Sequence, residues 1–185
     1  MNAPHPPINY KLPYNFSMPN YRRLYGGIAY YFTVVTYNRL PILTGNQSRM
    51  ALHDAWNIVE KRFPFRTNAI CLLPDHIHAI WTLPEEDQNY SLRWKEIKRQ
   101  FTKRYLLEIG DGEQRNLSRQ ERGEAAIWQR RFWEHTIWND DDLAKHVDYI
   151  HFNPVKHGLV KQVKDWRWSS FHRYVREGFY DLDWG

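Results

Sequence analysis

The order in which strands and helices are predicted along the chain indicates an α+β protein. A run of β-branched and aromatic residues predicts a first strand over 28–37. Apolar residues at helical spacing predict a helix over 46–62. Two apolar stretches, 67–73 and 76–83, flank a tight proline-containing connection and predict a hairpin. We therefore expect a ferredoxin-like sandwich, with one central, mostly antiparallel sheet and helices packed on it.

The second half of the chain begins with another helix and another strand. Ser91 is the expected N-cap of this helix, whose apolar stripe runs from Trp94 to Leu106. Residues 109–125 contain three glycines among mixed charges, so we expect a flexible insert there. A short strand is then expected within 128–138.

A last helix is predicted from Asp140 to Asn153. Its first turn is acidic, as the positive end of a helix dipole favours, and Asn139 or Asp140 is the expected cap. Pro154 should end this helix, because the residue before a proline disfavours helical geometry.

Composition along the chain indicates a single folded domain with two extensions. Residues 1–20 are rich in proline and predict an extended leader. One domain is expected over 21–158, since 185 residues fit one domain of ordinary size. Residues 159–185 form a basic, aromatic C-terminal extension that we expect to pack as a capping helix.

The charge and the aromatic content favour a nucleic-acid partner. The net charge is +5, and nine Trp, twelve Tyr and nine Phe suit stacking on bases, with core packing as the competing use. Cys71 is the single cysteine, so a disulfide framework and a multi-cysteine zinc site are excluded, and we expect a small core residue. No apolar stretch has the length of a signal peptide or a membrane span, which predicts a cytoplasmic protein without membrane contact.

Two histidines lie one residue apart in the predicted strand 76–83. Successive strand side chains point to opposite faces, so His76 and His78 share one face of a half-buried strand. Adjacent buried imidazoles would each need a hydrogen-bond partner and would repel if both were protonated. A metal ion removes both problems, and individually hydrogen-bonded or surface histidines are the alternative.

Tyr149 and Asn153 lie four residues apart and therefore on one face of the last helix. Tyr149 offers a phenol that can attack a phosphodiester, and Asn153 offers a carbonyl oxygen to a metal. Two imidazoles and an amide oxygen suit Mg²⁺ or Mn²⁺. A core aromatic and a helix-end residue are the alternatives for these two positions, while Glu134 and His135 are rival third ligands.

Basic residues are concentrated in the helix that follows Ser91. Few acids balance them, which favours phosphate contact over a merely solvated face. The expected nucleic-acid contacts along the whole chain are Arg22, Arg23, Arg93, Lys95, Lys98, Arg99, Lys103, Arg130, Arg131, Lys156, Lys161, Arg167 and Arg173.

Three segments together resemble one protein family. They are LPDHIH at 73–78, WQRRFWEH at 128–135 and HVDYIHFNPVKHGLV at 146–160. The combination resembles the REP-associated tyrosine transposases, a branch of the HUH superfamily of single-tyrosine transposases. The resemblance covers the chain from about Tyr21 to the C-terminus.

The resemblance implies a role for each site residue. His76 and His78 would be the HUH metal ligands, Tyr149 the nucleophile, and Asn153 the third ligand, where related mobile-element transposases often use glutamine. The implied reaction is metal-dependent cleavage of single-stranded DNA through a 5′-phosphotyrosine link, with a divalent ion and no nucleotide cofactor. Family members act on REP elements, palindromes that fold into hairpins, and the analogy suggests a monomer.

Two other functions remain open at this point. A domesticated protein that binds REP hairpins without turnover would keep the same fold, although the intact tyrosine and histidines argue against it. A metal-dependent hydrolase of small molecules is disfavoured by the basic, aromatic composition.

Overall fold

The computed structural model describes residues 28–109, 117–121, 123 and 125–185. Its strands are β1 (Ile28–Val35), β2 (Arg66–Leu72), β3 (His76–Leu83) and β4 (Trp133–Thr136). Its helices are α1 (Asn46–Arg62), α2 (Tyr90–Ile109), α3 (Leu117–Glu121), α4 (Asp140–Lys156) and α5 (Phe171–Arg176). The predicted leader, together with Arg22 and Arg23, lies outside the described residues.

The four strands form one antiparallel sheet in the order β2-β3-β1-β4. Thr33 at the centre of β1 lies opposite His78 of β3 and also opposite Trp133 of β4, so these three residues form one row across the sheet. The predicted α+β class, with helices packed on an antiparallel sheet, is confirmed.

Helices cover both faces of this sheet. On the first, which we call the α1/α2 face, Trp81 of β3 stacks on Trp94 of α2 with ring centroids 4.3 Å apart. The second, which we call the α4 face, carries His76, His78 and Ile80 and packs against α4 and the C-terminal segment. All eight residues of β3 are buried. The expectation of a half-buried strand was therefore wrong, because sequence alternation does not show that the second face is also covered.

The last long helix continues past Pro154, where the sequence predicted its end. A proline removes one amide donor and crowds the preceding helical turn, but here the final turn is closed by a pair of hydrogen bonds typical of a Schellman motif. Leu159 N–H donates to the carbonyl of Pro154 and Gly158 N–H to that of Val155, with Gly158 at φ +67°. The extra turn keeps Lys156 within the helix.

One other local prediction is also corrected. The cap of α2 is Asn89, whose Oδ1 accepts the Leu92 N–H at 2.9 Å, so Ser91 lies inside the helix. Much of the predicted insert, 110–116 with 122 and 124, lies outside the described residues, and its described part holds α3, which Arg119 anchors. The buried guanidinium of Arg119 donates to the carbonyls of Ala125 and Trp128 at 2.7 and 2.8 Å.

The C-terminal extension is integrated into the fold. Its backbone pairs with the outer edge of β2, where Leu72 N–H donates to the Trp168 carbonyl and Ser170 N–H to the Ile70 carbonyl. Phe171 is fully buried on the α4 face, as is Cys71, in agreement with its predicted core role. The expected capping helix is the short α5, and a 3-10 helix over Val163–Asp165 precedes it.

Candidate active site and metal ligands

The two histidines of β3 lie next to each other beneath α4. The ring centroids of His76 and His78 are 4.8 Å apart, and the ring planes meet at 85°. An imidazole nitrogen binds a metal in the plane of its ring. Because these two planes intersect, both rings can direct a nitrogen at one ion.

Asp75 holds the ring of His76. Asp75 Oδ1 lies 2.6 Å from His76 Nδ1, and Arg39 donates to Asp75 Oδ2 at 2.9 Å. Burial alone would raise the pKa of Asp75, but the hydrogen bond and charge of His76, with Arg39, lower it to about 2. A proton on Nδ1 therefore faces a carboxylate, and Nε2 is the nitrogen that can bind an ion.

Two hydroxyl groups of β1 hold the ring of His78. Its Nδ1 lies 2.7 Å from Tyr31 Oη and 3.0 Å from Thr33 Oγ1. With a proton on Nδ1, the ring donates to these oxygens, and again Nε2 can bind an ion. Burial, and next the charge of nearby Tyr149, raise the pKa of Tyr31 well above its ordinary value, so this phenol keeps its proton.

Sequence reasoning missed Tyr31 and Thr33 as site residues. Strand alternation indicates that both share one face of β1, but their contact with His78 depends on the register between β1 and β3. Asp75 directly precedes His76 and could also have been proposed.

Tyr149 and Asn153 belong to α4, which packs over the two histidines of β3. The Tyr149 ring lies 5.4 Å from the His78 ring, and the His157 ring lies 5.2 Å from the His76 ring. Asn153 is four residues from each of Tyr149 and His157, so it lies between them on the face of the chain that meets the histidines.

Asn153 meets the requirements of a metal ligand. The residue is fully buried, and neither side-chain polar atom has a hydrogen-bond partner among the described residues. A buried amide without partners costs about 1–3 kcal/mol per group, and an ion bound at Oδ1 would recover part of this. The residues present therefore fit a divalent ion held by two imidazoles and an amide oxygen.

Lys156 adds a positive charge beside Tyr149. Its Nζ lies 3.4 Å from Tyr149 Oη and 4.7 Å from the centre of the ring. The two residues share a face of α4 because they are seven residues apart, close to two helical turns. The continuation of α4 past Pro154 is what brings this cation to the phenol.

Comparison with known proteins gives the family. No family model matches the chain. A REP-associated tyrosine transposase of Haemophilus influenzae is 48% identical over 170 residues, which cover 91% of this chain and 94% of the relative. A REP-associated tyrosine transposase of Escherichia coli K12 is 46% identical over 168 residues, or 90% of this chain and 91% of the relative. The chain belongs to the REP-associated tyrosine transposases.

A solved structure of a REP-associated tyrosine transposase bound to a REP hairpin is similar in fold as well as sequence. It matches with a TM-score of 0.69 and 41% identity, covering 93% of this chain and 90% of the other. None of the described helices of this chain is long and apolar enough to cross a membrane.

Glu134, one rival third ligand, lies on the face of the sheet opposite to His76 and His78. It pairs with Phe32 in the register of β1 and β4, and Phe32 belongs to the core of the α1/α2 face. Its carboxylate therefore points away from His76 and His78.

His135, the other rival, belongs to a separate cluster with Asp142 and His146. Donor atoms of the three residues lie within 4.8 Å of one another, so the cluster is a rival metal site. Its two imidazoles are stacked nearly parallel, at 16°, with centroids 4.7 Å apart. Parallel planes cannot both contain one ion, which disfavours a metal here. The Asp142 carboxylate instead accepts the Trp138 N–H and contacts His135 Nε2 at 2.9 Å.

The basic residues of α2 lie on the far side of the sheet from Tyr149, because α2 packs on the α1/α2 face. Lys98 is half-buried and donates to the Gln129 carbonyl, and burial lowers its pKa to about 8. Arg99 is exposed and pairs with Glu96 of its own helix. The remaining exposed cations of this group are Lys95 and Lys103.

Arg93 is an interior residue of the fold. Its side chain is fully buried, and its guanidinium donates to three backbone carbonyls and to Asp87. The expectation that Arg93 contacts DNA is therefore corrected, since a buried guanidinium with satisfied donors cannot reach a phosphate.

The basic residues of the C-terminal half also divide into a residue that holds the fold together and residues that are exposed. Arg173 donates to the carbonyls of Thr67 and Asn68 and so fastens α5 to β2. Arg130, Arg131, Lys161 and Arg167 are exposed and stay candidates for DNA contact, with Lys156 beside the site.

Proposed function

We propose that this REP-associated tyrosine transposase is a metal-dependent single-strand DNA endonuclease and strand transferase that acts on REP hairpins through Tyr149. The observation that carries the proposal is the placement of Tyr149 against His78, beside a buried Asn153 amide without partners among the described residues. The family relative solved with a REP hairpin supports the substrate class.

The residues that would hold Mg²⁺ or Mn²⁺ are His76, His78 and Asn153. When bound, a divalent ion would supply positive charge that polarises the phosphate and so favours nucleophilic attack on it. Asp75, Tyr31 and Thr33 set the ring orientations for this set, since they engage the Nδ1 atoms of the two histidines.

Tyr149 provides the nucleophilic oxygen. Its Oη forms a bond to phosphorus and loses its proton to solvent, while the bond from phosphorus to the 3′ oxygen breaks and that oxygen takes up a proton. The products are a 5′-phosphotyrosine and a free 3′-hydroxyl, and attack by a second 3′-hydroxyl transfers the strand. The positive charge of Lys156 lies 3.4 Å from Tyr149 Oη, where it can stabilise the negative charge that develops at the reacting phosphate.

Adduct formation on a labelled single-stranded REP hairpin, followed by denaturing electrophoresis, tests the proposal. We expect a protein–DNA adduct with Mn²⁺ and none with chelator. Tyr149→Phe should remove the adduct and retain binding. Tyr105→Phe is the matched control, because Tyr105 is a buried tyrosine on the α1/α2 face.

Two results would contradict the proposal. Tight binding by the wild type without any adduct would indicate a REP-binding protein without turnover. An undiminished adduct in Tyr149→Phe would assign the nucleophile to another residue.

A further inference from the structure

An exposed arginine follows β1 and lies beside the candidate metal ligands. Arg39 ends a short 3-10 turn, Tyr37–Arg39, and its side chain is 59% exposed. Its Nη1 donates to Asp75 Oδ2 at 2.9 Å, and Asp75 Oδ1 lies 2.6 Å from His76 Nδ1. One carboxylate therefore separates this guanidinium from the ring of a candidate metal ligand.

The main chain holds the turn over Asp75. Thr36, which precedes the turn, is fully buried, and both its amide and its hydroxyl donate to the Asp75 carbonyl at 2.9 Å. The same hydroxyl lies 2.9 Å from the carbonyl of Leu40, the residue after the turn. These bonds place Arg39 beside the site through atoms other than its own side chain.

The backbone is strained at Arg39. Its φ is +54°, in the left-handed region that side chains other than glycine rarely adopt, and Asn38 before it has a φ of +50°. Asparagine is common in this region, whereas arginine is not. An exposed ion pair such as the one with Asp75 stabilises a fold only slightly, so it does not account for an arginine here. Strained backbone beside a reaction site instead indicates a functional constraint.

Positive charge from two elements converges on His157. Arg39 contributes from the turn after β1, and Lys156 contributes from the end of α4, beside Tyr149. Burial lowers the pKa of His157, and both of these cations lower it further, against the opposing charge of Asp75. Each nucleotide of a DNA strand carries one negative charge, so this side of the site suits the backbone phosphates.

We propose that Arg39 binds a backbone phosphate of the DNA, next to the phosphate that Tyr149 attacks. A guanidinium carries five N–H donors, so Arg39 can keep Asp75 through Nη1 and direct other donors from its exposed side to a phosphate. Two parallel hydrogen bonds from one guanidinium fit a phosphate well. The inference rests on the proposed function, because it adds a contact to the same substrate. A phosphate carries no sequence information, so Arg39 should strengthen binding without selecting bases.

The salt dependence of DNA binding tests this contact. The Tyr149→Phe protein is titrated with a labelled REP hairpin that has single-stranded flanks, at several salt concentrations and in chelator, so that bound metal does not contribute. Arg39→Gln should weaken binding roughly 10-fold and make the slope of log affinity against log salt shallower by about 0.7 to 0.9, the contribution of one phosphate. Arg39→Lys keeps the charge and should keep the slope. Arg62→Gln removes an exposed arginine at the end of α1 and should change neither value.

A neutral linkage in the DNA locates the phosphate. Uncharged methylphosphonates replace the phosphates near the cleaved position one at a time. One of these DNAs should bind more weakly to the protein with Arg39, and Arg39→Gln should then add nothing, as coupling in a double-mutant cycle requires.

Calorimetry with Mn²⁺ and without DNA separates phosphate binding from the positioning of His76. Arg39→Gln should bind the ion like the wild type, because Asp75 keeps its hydrogen bond to the ring. Asp75→Asn should bind it more weakly, because that bond loses its carboxylate.

Thermal melting tests the strain at Arg39. Glycine adopts a positive φ without steric cost, so Arg39→Gly should melt no lower than Arg39→Gln while it loses the same DNA affinity. A much lower melting temperature of Arg39→Gly would contradict the strain and, with it, the functional constraint inferred from it.

Three outcomes would overturn the phosphate contact. They are an unchanged affinity and salt slope in Arg39→Gln, a Mn²⁺ affinity of Arg39→Gln as low as that of Asp75→Asn with an unchanged salt slope, and a loss of DNA affinity that no methylphosphonate position shares. Failure of the proposed function is separate, because it appears as absence of adduct in the wild-type protein, whatever the salt slopes of the Tyr149→Phe variants.

Discussion

Replacing Arg93 by alanine should destabilise the fold without removing a DNA contact. The guanidinium is fully buried, and it donates to the carbonyls of Phe63, Pro64 and Asn89 at 3.2, 2.8 and 3.1 Å. A fourth hydrogen bond, of 3.0 Å, goes to Asp87. These bonds join the start of α2 to the turn after α1.

The expected cost is about 3–5 kcal/mol, the usual penalty for removing one partner of a buried, hydrogen-bonded charge. The lower bound also follows from leaving three carbonyls without a donor, at roughly 1 kcal/mol or more each. Domains of this size are stable by only about 5–15 kcal/mol, so the loss is a large part of the total.

Urea unfolding of Arg93→Ala and Arg99→Ala measures the difference. Arg99 belongs to the same helix, but its side chain is 54% exposed and pairs only with Glu96 among the described salt bridges, so its loss should cost under about 1 kcal/mol. A shift of the urea midpoint, with an unchanged slope of the unfolding free energy against urea concentration, reports a change in stability. A cost below about 1 kcal/mol for Arg93→Ala, together with weaker DNA binding by the folded protein, would refute the interior role and restore the DNA contact.

Three further predictions concern metal binding, chemistry and acid stability. Asp75→Asn should weaken Mn²⁺ binding about 10- to 100-fold by calorimetry, because His76 loses its carboxylate partner. Asp54→Asn on α1 is the control and should bind Mn²⁺ like the wild type. A wild-type affinity in Asp75→Asn would contradict the assignment. Lys156→Met should slow adduct formation at saturating DNA about 10- to 100-fold, whereas Lys161→Met should not. Burial and the charge of Arg173 lower the pKa of His151 to about 3, so the unfolded chain takes up a proton near pH 6.5 that the folded chain refuses until about pH 3. Stability in chelator should therefore fall by about 2 kcal/mol from pH 7 to pH 5, and a similar fall in His151→Gln would show another cause.

The local geometry of the site could be predicted from the sequence. Strand alternation places His76 and His78 on one face, and helical spacing places Tyr149 and Asn153 on one face, because both patterns depend only on residues close in sequence. Tyr31 and Thr33 were missed because their contact with His78 depends on the register between β1 and β3, which no local pattern specifies.

The position of α2 shows the same limit. Its apolar stripe indicates which residues face a core, but not which face of the sheet that core covers. Arg93 and Arg99 belong to the same basic pattern in the sequence, and only packing shows that the first is buried and the second exposed.

The extension of α4 past Pro154 was also beyond local reasoning. The rule that a proline ends a helix describes an average backbone preference. Here the closing hydrogen bonds around Gly158 and the packing of α4 on the sheet outweigh that preference. The consequence is functional, because Lys156 would not otherwise reach Tyr149.

Mass mapping of the DNA-linked protein tests the central claim most directly. After reaction with a REP hairpin and Mn²⁺, the DNA is trimmed by nuclease, and the peptide that carries the remaining nucleotide is sequenced by mass spectrometry. The account predicts the nucleotide on Tyr149 alone. A nucleotide on Tyr31, the other tyrosine beside His78, or no modified tyrosine at all, would contradict it.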